Sequence, residues 1–174
     1  MIEKLRYPIG TFSFDESAGS QQIDEWISDI DRLPESLAKA VTSLSEDQLN
    51  TPYREGGWTI RQVVHHLADS HMNALIRTKL LLTEDKPTIK PFDEQLWAKL
   101  RDNELPVEAS LNIIQGVHRR WVRVLEFVEK EEWDKPLHHP ENGDMTLKHL
   151  TAMYAWHGNH HLAHITNLKD QKNW

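Results

Sequence analysis

At three- and four-residue spacing, Leu147, Leu150, Tyr154, His157, His161, Ile165 and Leu168 trace one face of a helix, and two histidines hold its middle. Such a face is buried against neighbouring elements. An imidazole placed there without a partner costs about 1 to 3 kcal/mol on mutational scales, so each ring needs a hydrogen bond or a metal ion. Residues four apart lie about one turn apart on the same side of a helix, so His157 and His161 can reach one ion. His160 and His164 repeat that spacing but are rotated by about 60° from the first pair, which suits a supporting role or a surface position better than ligation. Far upstream, Val63-Val64-His65-His66-Leu67-Ala68-Asp69-Ser70-His71 supplies further imidazoles. A third histidine from that segment closes a three-histidine site with one coordination position open, the arrangement of catalytic rather than structural metals.

The remaining periodicity predicts what surrounds this face. Ile23, Trp26, Ile27, Ile30, Leu33, Leu37, Val41 and Leu44 mark a first amphipathic helix, with Pro34 signalling a kink or a late start. Thr59 and Gln62 form a capping-box pair, so a second helix is expected from Thr59 to about Leu82, with Ile60, Val64, Leu67 and Leu75 on its apolar stripe and His71 in the gap. A short helix is expected over Asp93 to Arg101, and Leu111, Ile114, Val117, Trp121, Leu125 and Val128 mark a third long one. The last runs from about Thr146 to Leu168. Pro8, Gly10 and Gly19 make residues 6 to 19 an irregular arm, and no alternating strand pattern or hairpin signal competes. The expected fold is an all-α four-helix bundle, one domain over residues 1–174 with an extended N-terminal arm and a short extra helix. Cores of such bundles commonly house metal sites.

Composition narrows the chemistry. With no cysteine among 174 residues, the chain has no disulfide, no zinc-thiolate site and no thiol nucleophile of its own, leaving imidazole and carboxylate as its strong ligands. A net charge of -7 with scattered Lys and Arg offers no footprint for nucleic acid or an anionic membrane. No segment has the apolar length to span a bilayer and Met1 to Tyr7 lacks a signal-peptide core, so the expected address is the cytoplasm. No serine-hydrolase elbow, P-loop, dinucleotide glycine pattern or His-Glu-x-x-His motif is present, so the metal carries the functional argument. For the third ligand, periodicity leaves His66 and His71 both open and turns His65 outward. His118, His138, His139 and His149 fall at polar or loop positions and are expected to be solvated. Asp69, three residues after His66, is the only carboxylate within the histidine motifs, a candidate general base or orienting group. Arg54, Arg77 and Arg120 are candidate clamps for an anionic substrate, against the commoner fate of surface ion pairing. Imidazole must be neutral to ligate, so metal occupancy is expected to fall as pH drops toward and below about 6.5.

The run from Thr51-Pro52-Tyr53-Arg54-Glu55-Gly56-Gly57-Trp58-Thr59 through His65-His66-Leu67-Ala68-Asp69 to Asn73 closely resembles the YfiT branch of the DinB-like family. Tyr7-Pro8-Ile9-Gly10, His118-Arg119-Arg120-Trp121 and the final histidine cluster extend the likeness over nearly the whole chain. The resemblance implies a four-helix-bundle metalloprotein, a homodimer, with one divalent ion per subunit, zinc or nickel, held by three histidines. By motif, the histidine directly before Leu67-Ala68-Asp69 selects His66. The pair four apart whose second member follows another histidine selects His157 and His161, with His160 as that neighbour. His164 departs from the wider family pattern and stays open as a fourth or alternative ligand. The resemblance implies either transfer of a low-molecular-weight thiol such as bacillithiol to an electrophile or metal-dependent hydrolysis, which we rank in that order, ahead of a non-catalytic metal-binding role in stress response. The first two share an open metal position that lowers the pKa of a bound thiol or water. The expected partners are thus a small thiol and an electrophile, with Tyr53, Arg54 or Arg120 holding co-substrate carboxylates and Asp69 available as a base.

Overall fold

A computed structural model describes residues 2–174. Four long helices form the bundle: α2 (Ser20–Val41), α4 (Ile60–Thr83), α6 (Glu108–Leu125) and α7 (Leu147–Lys172). Helix α2 packs on α7 and α6, and α4 packs on the same two, so the sequence neighbours α2 and α4 face each other across the diagonal. Short helices α1 (Ile2–Arg6), α3 (Glu46–Leu49) and α5 (Glu94–Trp97) lie outside this frame. Residues between α1 and α2 form the expected irregular arm. Among the described residues no helix is long and apolar enough to cross a membrane.

Local chemistry sets the helix ends. The Thr59 side chain accepts from the Gln62 backbone while Gln62 reaches back to the Thr59 N–H, satisfying two donors that a helix start leaves unpaired. Ser45 and Gln48 make the same box for α3, a signal equally present in the sequence. Asp93 caps α5, which stops at Trp97; Arg101–Glu104 adds a 3-10 turn where the sequence suggested one continuous helix. Helix α2 continues through Pro34, which has no N–H to give to the Ile30 carbonyl four residues earlier.

One element departs from the expectation of no strands. β1 (Pro136–His139) and β2 (Gly143–Thr146) pair antiparallel, with His139 opposite Gly143, around a turn in which Gly143 has φ +79°. Leu137 and His139 point inward, and with a histidine in an apolar slot the two-residue alternation does not show in so short a strand.

The apolar core is in two parts. Ile30, Leu75, Trp121, Leu150 and Tyr154 belong to one, and Leu33, Val64, Leu67, Ile114 and Ile165 to the other. His66 and His71 on α4, and His157, His160, His161 and His164 between Ala155 and Ile165 on α7, are buried or half-buried where the two apolar clusters meet, so a polar layer crosses the bundle. Gly158 lies in that layer, where an added Cβ would stand 2.6 Å from Leu33 Cδ2 and 3.4 Å from His71 Cε1. Gly158→Ala should therefore destabilise the protein by about 1 to 2 kcal/mol net, overpacking outweighing the helix-propensity gain, and lower its thermal midpoint by several degrees. An unchanged or raised midpoint would show that Leu33 yields freely.

Candidate metal centre

His66 projects from α4 and His157 and His161 from the neighbouring α7, and one nitrogen from each lies within 4.8 Å of the other two. Among the described residues this is the one group of three or more ligating side chains so arranged. His66 Nε2 and His157 Nε2 stand 3.1 Å apart. Nitrogens sharing a tetrahedral ion at about 2.0 to 2.1 Å lie roughly 3.3 Å from each other, so this spacing suits one edge of such a site. Three neutral nitrogen donors with no thiolate fit zinc, nickel or a related divalent ion. Trp58 packs against the His66 ring at 4.6 Å between centroids and walls off that side.

The structure thus brings His66, His157 and His161 together and places His71 one step behind them, its Nε2 3.1 Å from His157 Nδ1. His118 is 1% exposed rather than solvated, with Nε2 2.8 Å from His71 Nδ1 and Nδ1 bonded to the Ile30 carbonyl. His139 is likewise buried, carried inward by the hairpin. His65 faces Ser110 and the Leu105 carbonyl instead of water, because the segment leading into α6 covers that side of α4. His160 and His164 are buried beside the trio, His164 stacked on Tyr53 with centroids 3.9 Å apart. His138 and His149 stay partly exposed.

Two cavities flank the cluster, one reaching His157 and the other His161. One, of about 150 Å³, has His157, Tyr154, Ser70, Arg77 and His139 in its walls. The Arg77 guanidinium is buried, donates to Tyr154 Oη at 2.9 Å and to the Lys90 carbonyl at 3.3 Å, and forms no ion pair among the described residues. The other, of about 260 Å³, lies beside His161 and is lined by Arg6, Tyr53, Arg54, Trp58 and His160. Arg54 Nε and His160 Nδ1 are buried there without a hydrogen-bond partner. Glu94 lies on both cavities. Partial loss of water around its carboxylate, with Asp93 and Glu141 nearby, pushes its pKa up. Neither Glu94 nor the Arg6 contribution is legible in the sequence, since each reaches the site from a short element outside the bundle. Asp69 has its pKa raised to about 6 by burial and by Asp102, and no histidine is among its charged neighbours. Arg120 is exposed on α6.

A four-helix bundle that carries a three-histidine cluster flanked by cavities defines a class of small metal-site proteins. The chain belongs to the DinB superfamily, whose family model matches residues 29–165. It is 52% identical over 173 residues to a protein of Bacillus cereus (strain 03BB102) named "Putative metal-dependent hydrolase", covering 99% of this chain and 100% of that one. A Bacillus anthracis protein of the same name is 51% identical with the same coverage. YfiT from Bacillus subtilis, described as a probable metal-dependent hydrolase with an unusual four-helix bundle topology, superposes with a TM-score of 0.95 at 43% identity, over 98% of this chain and 99% of that one. The four-helix bundle protein TT2238 shares the fold, with a TM-score of 0.55 at 19% identity over 80% of this chain and 94% of that one.

Burial holds the ring pKa of His66 and of His118 down to about 4, and keeps His71 and His161 well below 6.5. Proton competition for the ligands is therefore displaced below the sequence-based expectation of about 6.5. Because the folded values are depressed, this stability is complete above 6.5 and is lost as pH falls toward 4, when the unfolded chain takes up protons that the fold excludes. At pH 5.5 the unfolded chain binds protons at these rings that the fold excludes, and together they remove on the order of a few kcal/mol from a typical 5 to 15. The metal-free protein should unfold cooperatively between pH 6.5 and 4, followed by far-ultraviolet circular dichroism. A spectrum unchanged at pH 4 would contradict this.

Proposed function

We propose that the chain is a metal-dependent enzyme that joins a small anionic thiol to an electrophile. The observation that carries this reading is the pair of cavities that reach the cluster at His157 and at His161, each with an arginine wall, which suits two substrates better than one. His66, His157 and His161 would hold the ion, which would supply Lewis acidity that lowers the pKa of a bound thiol or water. The chain has no cysteine, so the thiol is a substrate and not a protein group. Arg77, buried without a carboxylate partner, holds an anionic group in the smaller cavity, while Arg6 and Arg54 hold one in the larger. Glu94, shared by both and with a raised pKa, accepts the thiol proton. The sulfur electron pair forms the new bond to carbon as the leaving group departs with the electrons of the old one. Trp58 and Tyr154 narrow the approach and exclude water that would compete.

Hydrolysis is the second reading, supported by Glu94 as a base for water and by the names of the relatives. Zinc- or nickel-loaded protein mixed with bacillithiol or another carboxylate-bearing thiol and an activated aryl chloride should form thioether faster than the uncatalysed rate. His157→Ala should abolish that acceleration. Arg77→Met should raise KM for one substrate at least tenfold with little change in kcat, and Glu94→Gln should lower kcat about 10²-fold or more. Ester or amide cleavage without thiol, and no conjugation across several thiols, would establish hydrolysis instead. Neither activity would leave a metal-binding module.

A further inference from the structure

Of the eleven histidines, several buried ones ligate nothing in the trio yet form continuous hydrogen-bonded chains that end on backbone carbonyls. A carbonyl oxygen only accepts, so it fixes the proton on the ring nitrogen facing it. A neutral imidazole carries one N–H, so fixing one nitrogen fixes the other. Begin at the Ile30 carbonyl. It accepts from His118 Nδ1, which leaves His118 Nε2 as an acceptor. His71 Nδ1, at 2.8 Å, must then donate to it, leaving His71 Nε2 as an acceptor. His157 Nδ1, at 3.1 Å, must donate in turn, and His157 Nε2 is left with a lone pair facing His66. The second chain begins at the Arg6 carbonyl, which accepts from His164 Nε2 at 3.1 Å. His164 Nδ1 becomes an acceptor for His161 Nδ1 at 3.3 Å, and His161 Nε2 is left with its lone pair.

We propose that His71, His118 and His164 are positioning residues: two carbonyl-anchored relays lock His157 and His161 in the tautomer whose Nε2 can bind the ion. This rests on the metal-centre reading and not on which reaction follows. Ile30 can act as the anchor because Pro34, four residues on, has no N–H to claim its carbonyl. The rings are held as well as oriented, with His71 and His118 within 8° of parallel and Trp121 edge-on to both. His66 has no such chain: with His157 Nε2 acting as acceptor at 3.1 Å, His66 Nε2 carries the proton in the metal-free protein. Binding an ion through Nε2 would then require that proton to move to Nδ1, at His66 alone.

The test is long-range proton–nitrogen NMR of the ring nitrogens in metal-free protein, which distinguishes the two tautomers directly, joined to zinc titration of wild type and His118→Phe. The relay requires an Nδ1-protonated ring at His118, His71, His157 and His161 and an Nε2-protonated ring at His164 and His66. On adding zinc, His66 should change and His157 should keep its Nδ1 proton. His118→Phe, which leaves His71 without its acceptor, should show mixed tautomers at His157 and weaken zinc binding about 10- to 100-fold. An inverted tautomer at any relay ring with tight zinc binding overturns the relay alone, as does a folded His118→Phe protein binding zinc within twofold of wild type. A wild type that binds no zinc overturns the metal centre and with it this role. Should His118→Phe not fold, the wild-type spectrum decides.

Discussion

The contact between His71 and His118 joins α4 to α6 at the level where the apolar core is interrupted, and much of the bundle's middle depends on it. Neither ring has water to turn to. Each must find its donor and its acceptor in the protein, and a missing partner would cost about 1 to 3 kcal/mol. The solution runs across all four long helices, from the α2 backbone through α6 and α4 to His157 on α7. Because all of these partners are neutral, the layer avoids the far larger penalty of an unpaired buried charge. The two apolar clusters on either side keep the rings dry and hold the four backbones in register.

Much of this frame was legible before any coordinates. The apolar stripes delimit the four long helices, the Thr59–Gln62 box places the start of α4, and the interrupted stripe of α7 singles out His157 and His161 as a pair needing a partner. Periodicity could not choose between His66 and His71, because the two lie on adjacent sides of one helix and both are buried. What decides their places is the identity of the facing helix: α7 meets His66, and α6 meets His71 through His118. That information is tertiary. His118 looked solvated for the same reason, since a histidine at a polar-looking position gives no hint that a proline on another helix has freed a carbonyl for it. The hairpin, Glu94 and the Arg6 side of the larger cavity are set by short connections whose paths follow from long-range packing rather than local propensity.

The energetic balance of the site is one-sided in pH. A core layer of neutral imidazoles is compatible with the fold only while the solution does not favour their protonation, and burial has already moved them far from their ordinary value. An ion bound by three of them would add binding free energy to the folded state alone, so occupancy and folding become linked quantities. The same burial that makes the ligands available at neutral pH makes the metal-free bundle sensitive to acid.

The division of labour between helices and connections has a further consequence. Every group in the histidine trio sits on α4 or α7, whereas Glu94, Glu141, Arg6 and Arg54 are carried by a short helix, a hairpin turn, the N-terminal segment and the loop before α4. Apart from the Arg6 carbonyl, Tyr53 and Trp58, which hold the histidine rings, those segments can be exchanged, lengthened or shortened while α4 and α7 keep the ligands in place. Descendants of one ancestral bundle can therefore keep the same ion in the same cradle while diverging in the molecules they accept, and kinship in the helices is a poor guide to shared substrates.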